Sequence, residues 1–451
     1  MNIKTPEAGR ITLMPSLPLS PAQSFLIFTV KPSGMKSLRV LLRAVHKGLR
    51  MDHGYVVLIG SRDPEQETRV IRKHGYRVLL INTRISLKEI CFVDRAIEAD
   101  LNDSDSITSQ IADLLQDGMH LVSVLTQNEY RTGLAAKIAT LAGTCFLSEQ
   151  AAAICRNKSS VRNALRGTSL GTVPYVVNEN IRALLSDTEG MDFPVVAKPE
   201  NDAGSNHVYI CRNTEELWDA VSIIGNLKTN HALQAMGGRT LIERYLEGRE
   251  FSVEALSDAS STRVIAVTEK FTQGSVEKAH LVPARISPEE RSAIKSFISA
   301  LHEQLGIRHA VTHTEIKLHE GVPGLIEING RIGGDNIADL VRLTTGLDLF
   351  EAALLLSLGH SVDDVITSLG CVTESPASAM SIFLFAAEDG YVRYKSCPYP
   401  VQRAFPAGSF VTRTTSNYTR LGSYIISSAS SLDPLERITE SDEYFTVECC
   451  Q

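Results

Sequence analysis

The sequence predicts an α/β domain followed by an α+β region, and three observations carry that expectation. Between residues 22 and 147, apolar runs of strand length alternate with helical patterns, as expected of a parallel sheet with crossover helices. From about residue 173 the chain turns strand-rich. Two of the later stretches, residues 313–318 and 325–331, flank the short polar segment 320–324 and read as a β-hairpin.

Length and composition narrow the class. A chain of 451 residues holds two or three domains at roughly 100–200 residues each. Its 43% hydrophobic and 22% charged content is that of an ordinary globular protein. The net charge of −7 gives no global attraction to nucleic acid or an anionic membrane, so neither is an expected partner. No apolar run approaches the roughly 20 residues that span a bilayer. The eight cysteines include no Cys-x-x-Cys pair, so structural zinc is not expected. Reduced thiols and a cytoplasmic setting are.

In order along the chain, residues 1–21 read as a flexible lead-in without the apolar core of a secretory signal. Strands at 25–30, 55–60, 77–81 and 121–125, with helices at 35–49 and through Val70, define an N-terminal α/β domain over 22–147. It lacks a Gly-x-Gly-x-x-Gly fingerprint, which argues against a dinucleotide-dependent redox enzyme. A helix over 148–170 and strands at 194–198, 207–210, 240–243 and 250–256 form a linker helix and central lobe, 148–256. The next lobe, 257–375, carries a helix over 287–305 with Ser287 as cap and Pro288 in its first turn. It also carries the hairpin and helices at 337–343 and 349–358. The tail, 376–451, reads as a strand-rich subdomain with turns at 388–390 and 406–408.

The hairpin carries the chemistry. On one strand Glu315 shares a face with His313 and Lys317; on the other Glu327 shares a face with Asn329 and Arg331. A hairpin centred near Gly321 sets Glu315 opposite Glu327, about 4.5–5.5 Å apart at Cβ, where like charges repel. A divalent cation resolves that repulsion. Two carboxylates and the Asn329 amide suit Mg²⁺, with phosphates completing its octahedron. The competing reading is a hairpin with a charged solvent face. Lys198 ends a buried strand, and the small polar loop 200–206, with Gly204 and Ser205, follows it. Backbone N–H groups of such a loop can face phosphate oxygens and the lysine adds a point charge; a surface turn is the alternative. Residues 241–250 form strand, turn and strand. An exposed strand end there can meet a purine edge and Glu250 can accept from ribose hydroxyls, unless this is only a charged hairpin. His309 and His313 are four apart, but the alternation of the segment argues against a helical zinc pair and for a structural role.

Taken together and in this order, these pieces resemble the ATP-grasp superfamily over about residues 25–430, most specifically at 325–334. The resemblance implies ATP held between two α+β lobes. Lys158 and Lys198 would contact its phosphates, Glu243 and the hinge Arg244, Tyr245 and Leu246 its adenine, and Glu250 its ribose. Glu315, Glu327 and Asn329 would bind Mg²⁺, two ions in all, with Mn²⁺ as an alternative. Glu277, His280, Pro283 and Ala284 look like the Glu-x-x-His-x-x-Pro-Ala stretch of L-amino-acid ligases, although Ala279 stands where many have Gly. That places Glu277 and His280 near amino-acid substrates, either of them acting on the incoming amine, and Arg331 near an acyl phosphate or tetrahedral intermediate. The implied activity is an ATP-dependent ligase joining two amino acids, or an amino-acid-like acid and an amino acid, and releasing ADP and phosphate. Biosynthesis of a small peptide metabolite would be its context. Related ligases often form homodimers. The loop 200–206 and the turn 271–278 would exclude water. Rival readings are a purine-pathway or carboxylase-type ligase and a nucleotide-binding regulator without catalysis.

Overall fold

The computed structural model describes residues 54–61, 63–178, 192–274, 276–373 and 376–448. The lead-in 1–21, the strand at 25–30 and the helix at 35–49 lie outside them.

Among the described residues the first sheet is parallel. Tyr55–Ile59 (β1), Arg77–Asn82 (β2), Arg95–Glu98 (β3) and Leu121–Leu125 (β4) pair in the order β3-β2-β1-β4. β1 is buried along its whole length because helices cover both faces. Strand order reverses between β1 and β4. The chain therefore leaves these neighbours in opposite directions and opens a crevice at their carboxyl ends. β3 and the helices at 104–116 and 132–142 had no clear reading in the sequence.

The expected single helix over 148–170 is two, Glu149–Arg156 and Lys158–Leu165. Asn157 breaks it: its backbone is extended and its side chain accepts from Ser160 N at 2.9 Å, capping the second helix. Lys158 thus stands at a helix start. Tyr175–Asn178 (β5), Val195–Pro199 (β6), Tyr209–Cys211 (β7) and Thr240–Arg244 (β8) form a small antiparallel sheet, ordered β5-β8-β6-β7, backed by the helix Thr214–Gly225.

The next strands are Arg249–Ser257 (β9), Thr262–Gln273 (β10), Val276–Val282 (β11), Ala310–His319 (β12), Val322–Asn329 (β13) and Ser378–Leu384 (β14). The tail adds Gly390–Tyr394 (β15), Gln402–Arg403 (β16), Phe410–Val411 (β17), Gly422–Ser428 (β18) and Phe445–Glu448 (β19). A large antiparallel sheet runs β13-β12-β9-β10-β11-β14-β18-β16, and β17-β15-β19 form a small one. Two expectations are corrected. β9 belongs to the large sheet, so the boundary at 256 falls inside it, and β8–β9 is a link between two sheets rather than a hairpin. Within the tail, β15, β17 and β19 make up the small sheet. Met380, Ile382 and Leu384 are buried strand residues that continue the large sheet through β14 and β18.

One face of the large sheet is apolar. Phe251, Val253, Val267, Ile316 and Ile328 pack there on the helix Pro288–Leu305, which starts with the expected Ser287 capping box. Helices Ile337–Thr345 and Leu349–Ser357 share a second core with β1, β2 and the strands β9 to β12 and β14, and so fix the parallel sheet against the large one. The expected turn at 271–278 is mostly ladder: Phe271 pairs with Ala279 and Thr272 with Glu277, leaving a tight turn around Gly274.

The β8–β9 link passes through Gly248, at φ +102°, where an added Cβ would lie 2.2 Å from the Leu318 carbonyl oxygen. Gly248→Ala should lower stability by about 1–3 kcal/mol. Gly225→Ala, with its nearest neighbour at 3.9 Å, should be neutral or mildly stabilising. Urea midpoints of the two variants test this.

Candidate active site

The crevice of the parallel sheet, the small sheet and the polar face of the large sheet enclose one cavity of about 640 Å³. Every residue that the sequence nominated lines it: Lys158, Lys198, Gly204, Ser205, Glu243, Arg244, Tyr245, Leu246, Glu250, Glu277, His280, Glu315, Glu327, Asn329 and Arg331. Their geometry differs in several ways from what the sequence suggested.

The hairpin turn Glu320–Gly321 has φ of 49° and 80°, both in the left-handed region that a two-residue I′ turn requires. From it the ladder pairs His319 with Val322 and Ile316 with Leu325, a register that would oppose Glu315 to Ile326. A bulge at Ile326 shifts it by one residue, and Glu315 pairs with Glu327 and His313 with Asn329. The carbonyls of Leu325 and Ile326 accept from Arg162 Nη2 at 2.9 and 3.0 Å. Arg162 therefore holds the bulge that opposes the carboxylates. The Asn329 amide is assigned with its nitrogen toward the Glu129 carboxylate, at 3.1 and 3.2 Å, which turns its oxygen toward Glu327.

Two opposed carboxylates and an adjacent amide oxygen fit Mg²⁺, which keeps several water or phosphate ligands. Among the described residues no group of three or more His, Cys, Asp and Glu side chains is placed to hold a metal by itself. Here ammonium groups balance the carboxylates: Lys270 Nζ lies 2.6 Å from Glu315 Oε1 and Lys158 Nζ 3.2 Å from Glu327 Oε1.

Toward the small sheet, Lys158 also donates to the Asp202 carbonyl at 2.6 Å. Asp202 pins the loop 200–206, accepting from Tyr130 Oη at 2.9 Å and from Asn206 Nδ2 at 2.8 Å. Lys198 Nζ reaches Glu243 Oε2 at 2.5 Å, and Arg162 Nε donates to the other oxygen. Burial raises Glu243, but Arg162 and Lys198 outweigh it and hold the carboxyl below its usual range. Burial lowers Lys198 more than Glu243 raises it. The Glu243 carboxylate is thus committed to two cations. Val196, Ile210, Leu246 and Ile326 are apolar residues of the cavity lining. Glu250 stands at the start of β9 with its pKa raised, chiefly by burial.

The other end of the cavity rests on buried charge. Lys270 is a residue that sequence reading missed; its nitrogen is 2.8 Å from Glu277 and 2.6 Å from Glu315. Burial lowers Lys270, yet Glu277 and Glu315 raise it well above the ordinary lysine value. Burial raises Glu277 and Glu315, but Lys270 holds both well below the carboxylate range. His280 Nε2 is 3.3 Å from Glu277 Oε2. His313 lines the cavity as well. Its Nδ1 lies 2.6 Å from Glu254 and its Nε2 3.3 Å from Glu315, and although burial lowers it, Glu254 lifts it to about 9. A charge interrupting the apolar run of β10 was the sequence signal for Lys270.

The loops after β1 and β4 close the cavity from the crevice. Glu129, also missed, follows β4 and accepts from Arg331 Nη2 at 2.6 Å; Arg331 Nη1 donates to the Ile332 carbonyl at 2.8 Å. Both guanidinium ends are engaged, so a free bidentate fork onto phosphate is not what the geometry offers. Glu67, in the helix Pro64–Lys73, is buried against the cavity and accepts from Gln127 Nε2 at 2.5 Å; burial pushes its carboxyl to about 7.

Residues 191–339 match the model of the ATP-grasp domain. The alanine–anticapsin ligase of Bacillus subtilis (strain 168) is 28% identical over 262 residues, 53% of this chain and 55% of that protein. The D-alanine–D-alanine ligase of Pelagibacter ubique (strain HTCC1062) is 30% identical over 152 residues, 32% of this chain and 46% of that one. The chain thus matches about half the length of these curated relatives. The crystal structure of an L-amino acid ligase from Bacillus licheniformis superimposes with a TM-score of 0.73 at 20% identity, over 88% of this chain and 99% of that one. The chain carries an ATP-grasp domain, has the ATP-grasp fold and resembles the L-amino-acid ligases.

Two outcomes test the electrostatics. Arg162→Lys cannot reach Glu243 and both bulge carbonyls at once; it should cost about 2–4 kcal/mol in urea unfolding and weaken ADP binding. Glu67 binds more protons folded than unfolded between about pH 4.5 and 7, so its contribution is favourable below pH 4.5 and lost as pH rises through 7. Glu67→Gln should remove that loss and raise stability at pH 8 by roughly 2–3 kcal/mol, with no gain at pH 4, in paired denaturation curves.

Proposed function

We propose that the protein is an ATP-dependent ligase that forms an amide bond between a carboxylic acid and an amine, with amino acids as substrates. The observation that carries this reading is the opposition of Glu315 and Glu327, with Asn329 beside them, in a cavity that Lys158 and Lys198 also line. The ligase relatives and the amino-acid-ligase fold support it.

A carboxylate does not condense with an amine in water without activation. In the proposed sequence a carboxylate oxygen attacks the γ-phosphorus of ATP, the bond to the β-phosphate oxygen breaks, and ADP leaves. Such a transfer needs positioning and charge neutralisation rather than a protein nucleophile. Lys158 and Lys198 orient the phosphates. Glu315, Glu327 and Asn329 would hold Mg²⁺, which when bound would supply further neutralisation of phosphate charge. Then the amine nitrogen attacks the acyl carbon, the C–N bond forms, and phosphate leaves with the acyl oxygen. Glu277 is held ionised by Lys270 and sits beside His280, so the pair can hold an ammonium and accept its proton. Arg331 holds Glu129 at the crevice, where the donor acid would enter. The pinned loop 200–206 keeps water from the activated acid.

A mass-spectrometric screen of amino-acid mixtures with ATP and Mg²⁺ should reveal a dipeptide or related amide with stoichiometric ADP and phosphate. Its absence across all mixtures, with ATP still bound, would favour the regulator reading. Glu327→Gln should lower turnover by at least about 100-fold while leaving the melting temperature within a few degrees; a variant with normal Mg²⁺-dependent turnover would remove Glu327 from the site.

A further inference from the structure

The tail contributes to the cavity, and one of its side chains has an unused donor. Arg420 lies two residues before β18 and is 8% exposed. Its Nε donates to the Asn417 carbonyl at 2.8 Å and its Nη2 to Asp335 at 2.6 Å. Its Nη1 is buried and has no hydrogen-bond partner among the described residues, and the Glu277 carboxylate is 3.8 Å away. The guanidinium carbon lies 3.9 Å over the Phe383 ring, which fixes its plane. An unsatisfied donor on a buried charge is costly, and a ligand that satisfies it gains correspondingly. Asn417 adds a second tie to this wall: Glu277 N donates to its Oδ1 at 3.1 Å and its Nδ2 donates to Glu277 at 3.3 Å.

The charge around Nη1 is mixed, and that selects the ligand. A simple anion such as phosphate would face both Glu277 and Asp335. A simple cation would face Arg420 and Lys270. A zwitterion with its charges a few bonds apart meets both signs at once. Asp335 has its pKa raised by burial and then by Glu277, a strain that an arriving ammonium relieves.

We propose that Arg420 Nη1 binds the α-carboxylate of an amino acid whose ammonium lies against Glu277 and Asp335. The substrate class at this end of the cavity is then the free α-amino acid, read by its carboxylate, and amines or amino-acid amides are poor ligands. The assignment of this ligand as the amine-bearing substrate rests on the ligase reading; its binding does not.

The test is calorimetric titration of the whole protein, loaded with ADP and Mg²⁺, with each proteinogenic L-amino acid and then with the carboxamide of every one that binds. At least one amino acid should bind, its carboxamide about tenfold or more weaker. Arg420→Gln should weaken the acid about tenfold and leave the amide nearly unchanged, so that discrimination collapses. Arg420→Lys, which keeps the buried charge opposite Asp335, should retain part of it and serves if Arg420→Gln does not fold. Equal binding of acid and amide by the wild-type protein, retained discrimination in the variant that folds, or no amino-acid binding at all would each overturn the proposal. Amino-acid binding without amino-acid-dependent ADP release would retire the ligase reading and leave this site standing. Ligation that accepts the amide as well as the acid would do the reverse.

Discussion

Arg162 is the constraint on which the rest of the site depends. Its guanidinium is buried on the second linker helix and reaches three acceptors at once: the Glu243 carboxylate and the carbonyls of Leu325 and Ile326. The first contact fixes the end of β8 and, through Glu243, the ammonium of Lys198. The other two satisfy the bulge that sets the register of β12 and β13. A planar, permanently charged fork can do this where a lysine cannot. One side chain therefore couples Lys198, the inter-sheet link and the opposed carboxylates. Its helix also begins with Lys158, so Lys158 and Lys198 are placed from the same support.

Charge alternation organises the opposite wall. Glu277, Lys270, Glu315, His313 and Glu254 form a buried chain in which each group touches one of opposite sign. Desolvation would neutralise any of these alone. Within the chain Glu277, Lys270, Glu315 and His313 stay ionised, and removing one would leave its neighbour buried and unpaired, at about 3–5 kcal/mol. This wall is therefore rigid before any ligand arrives, which is the condition for electrostatic stabilisation that needs no reorganisation.

The parallel sheet contributes by topology. Because strand order reverses between β1 and β4, Glu67 and Glu129 emerge side by side over the large sheet. The shared core of β1, β2 and the helices at 337–357 keeps that crevice in place. The cavity thus combines apolar lining residues such as Val196 and Ile210, a charged centre, and a mixed-charge end walled by the tail.

The sequence by itself determined the local elements and the chemical inventory. Period-two alternation revealed β12 and β13 and which residues share their faces, Ser287 and Pro288 marked the long helix, and the nominated side chains do meet in one cavity. These follow from near-neighbour physics, pleating and capping, which a string of residues records. Tertiary structure decided the rest. A two-residue turn alone would have faced Glu315 with Ile326; the bulge, held from more than 160 residues away by Arg162, faces it with Glu327. Glu129, Lys270 and Arg420 likewise acquired their positions only through strand order and long-range ion pairs. No local pattern encodes which distant charge will sit opposite, because that depends on how whole sheets pack.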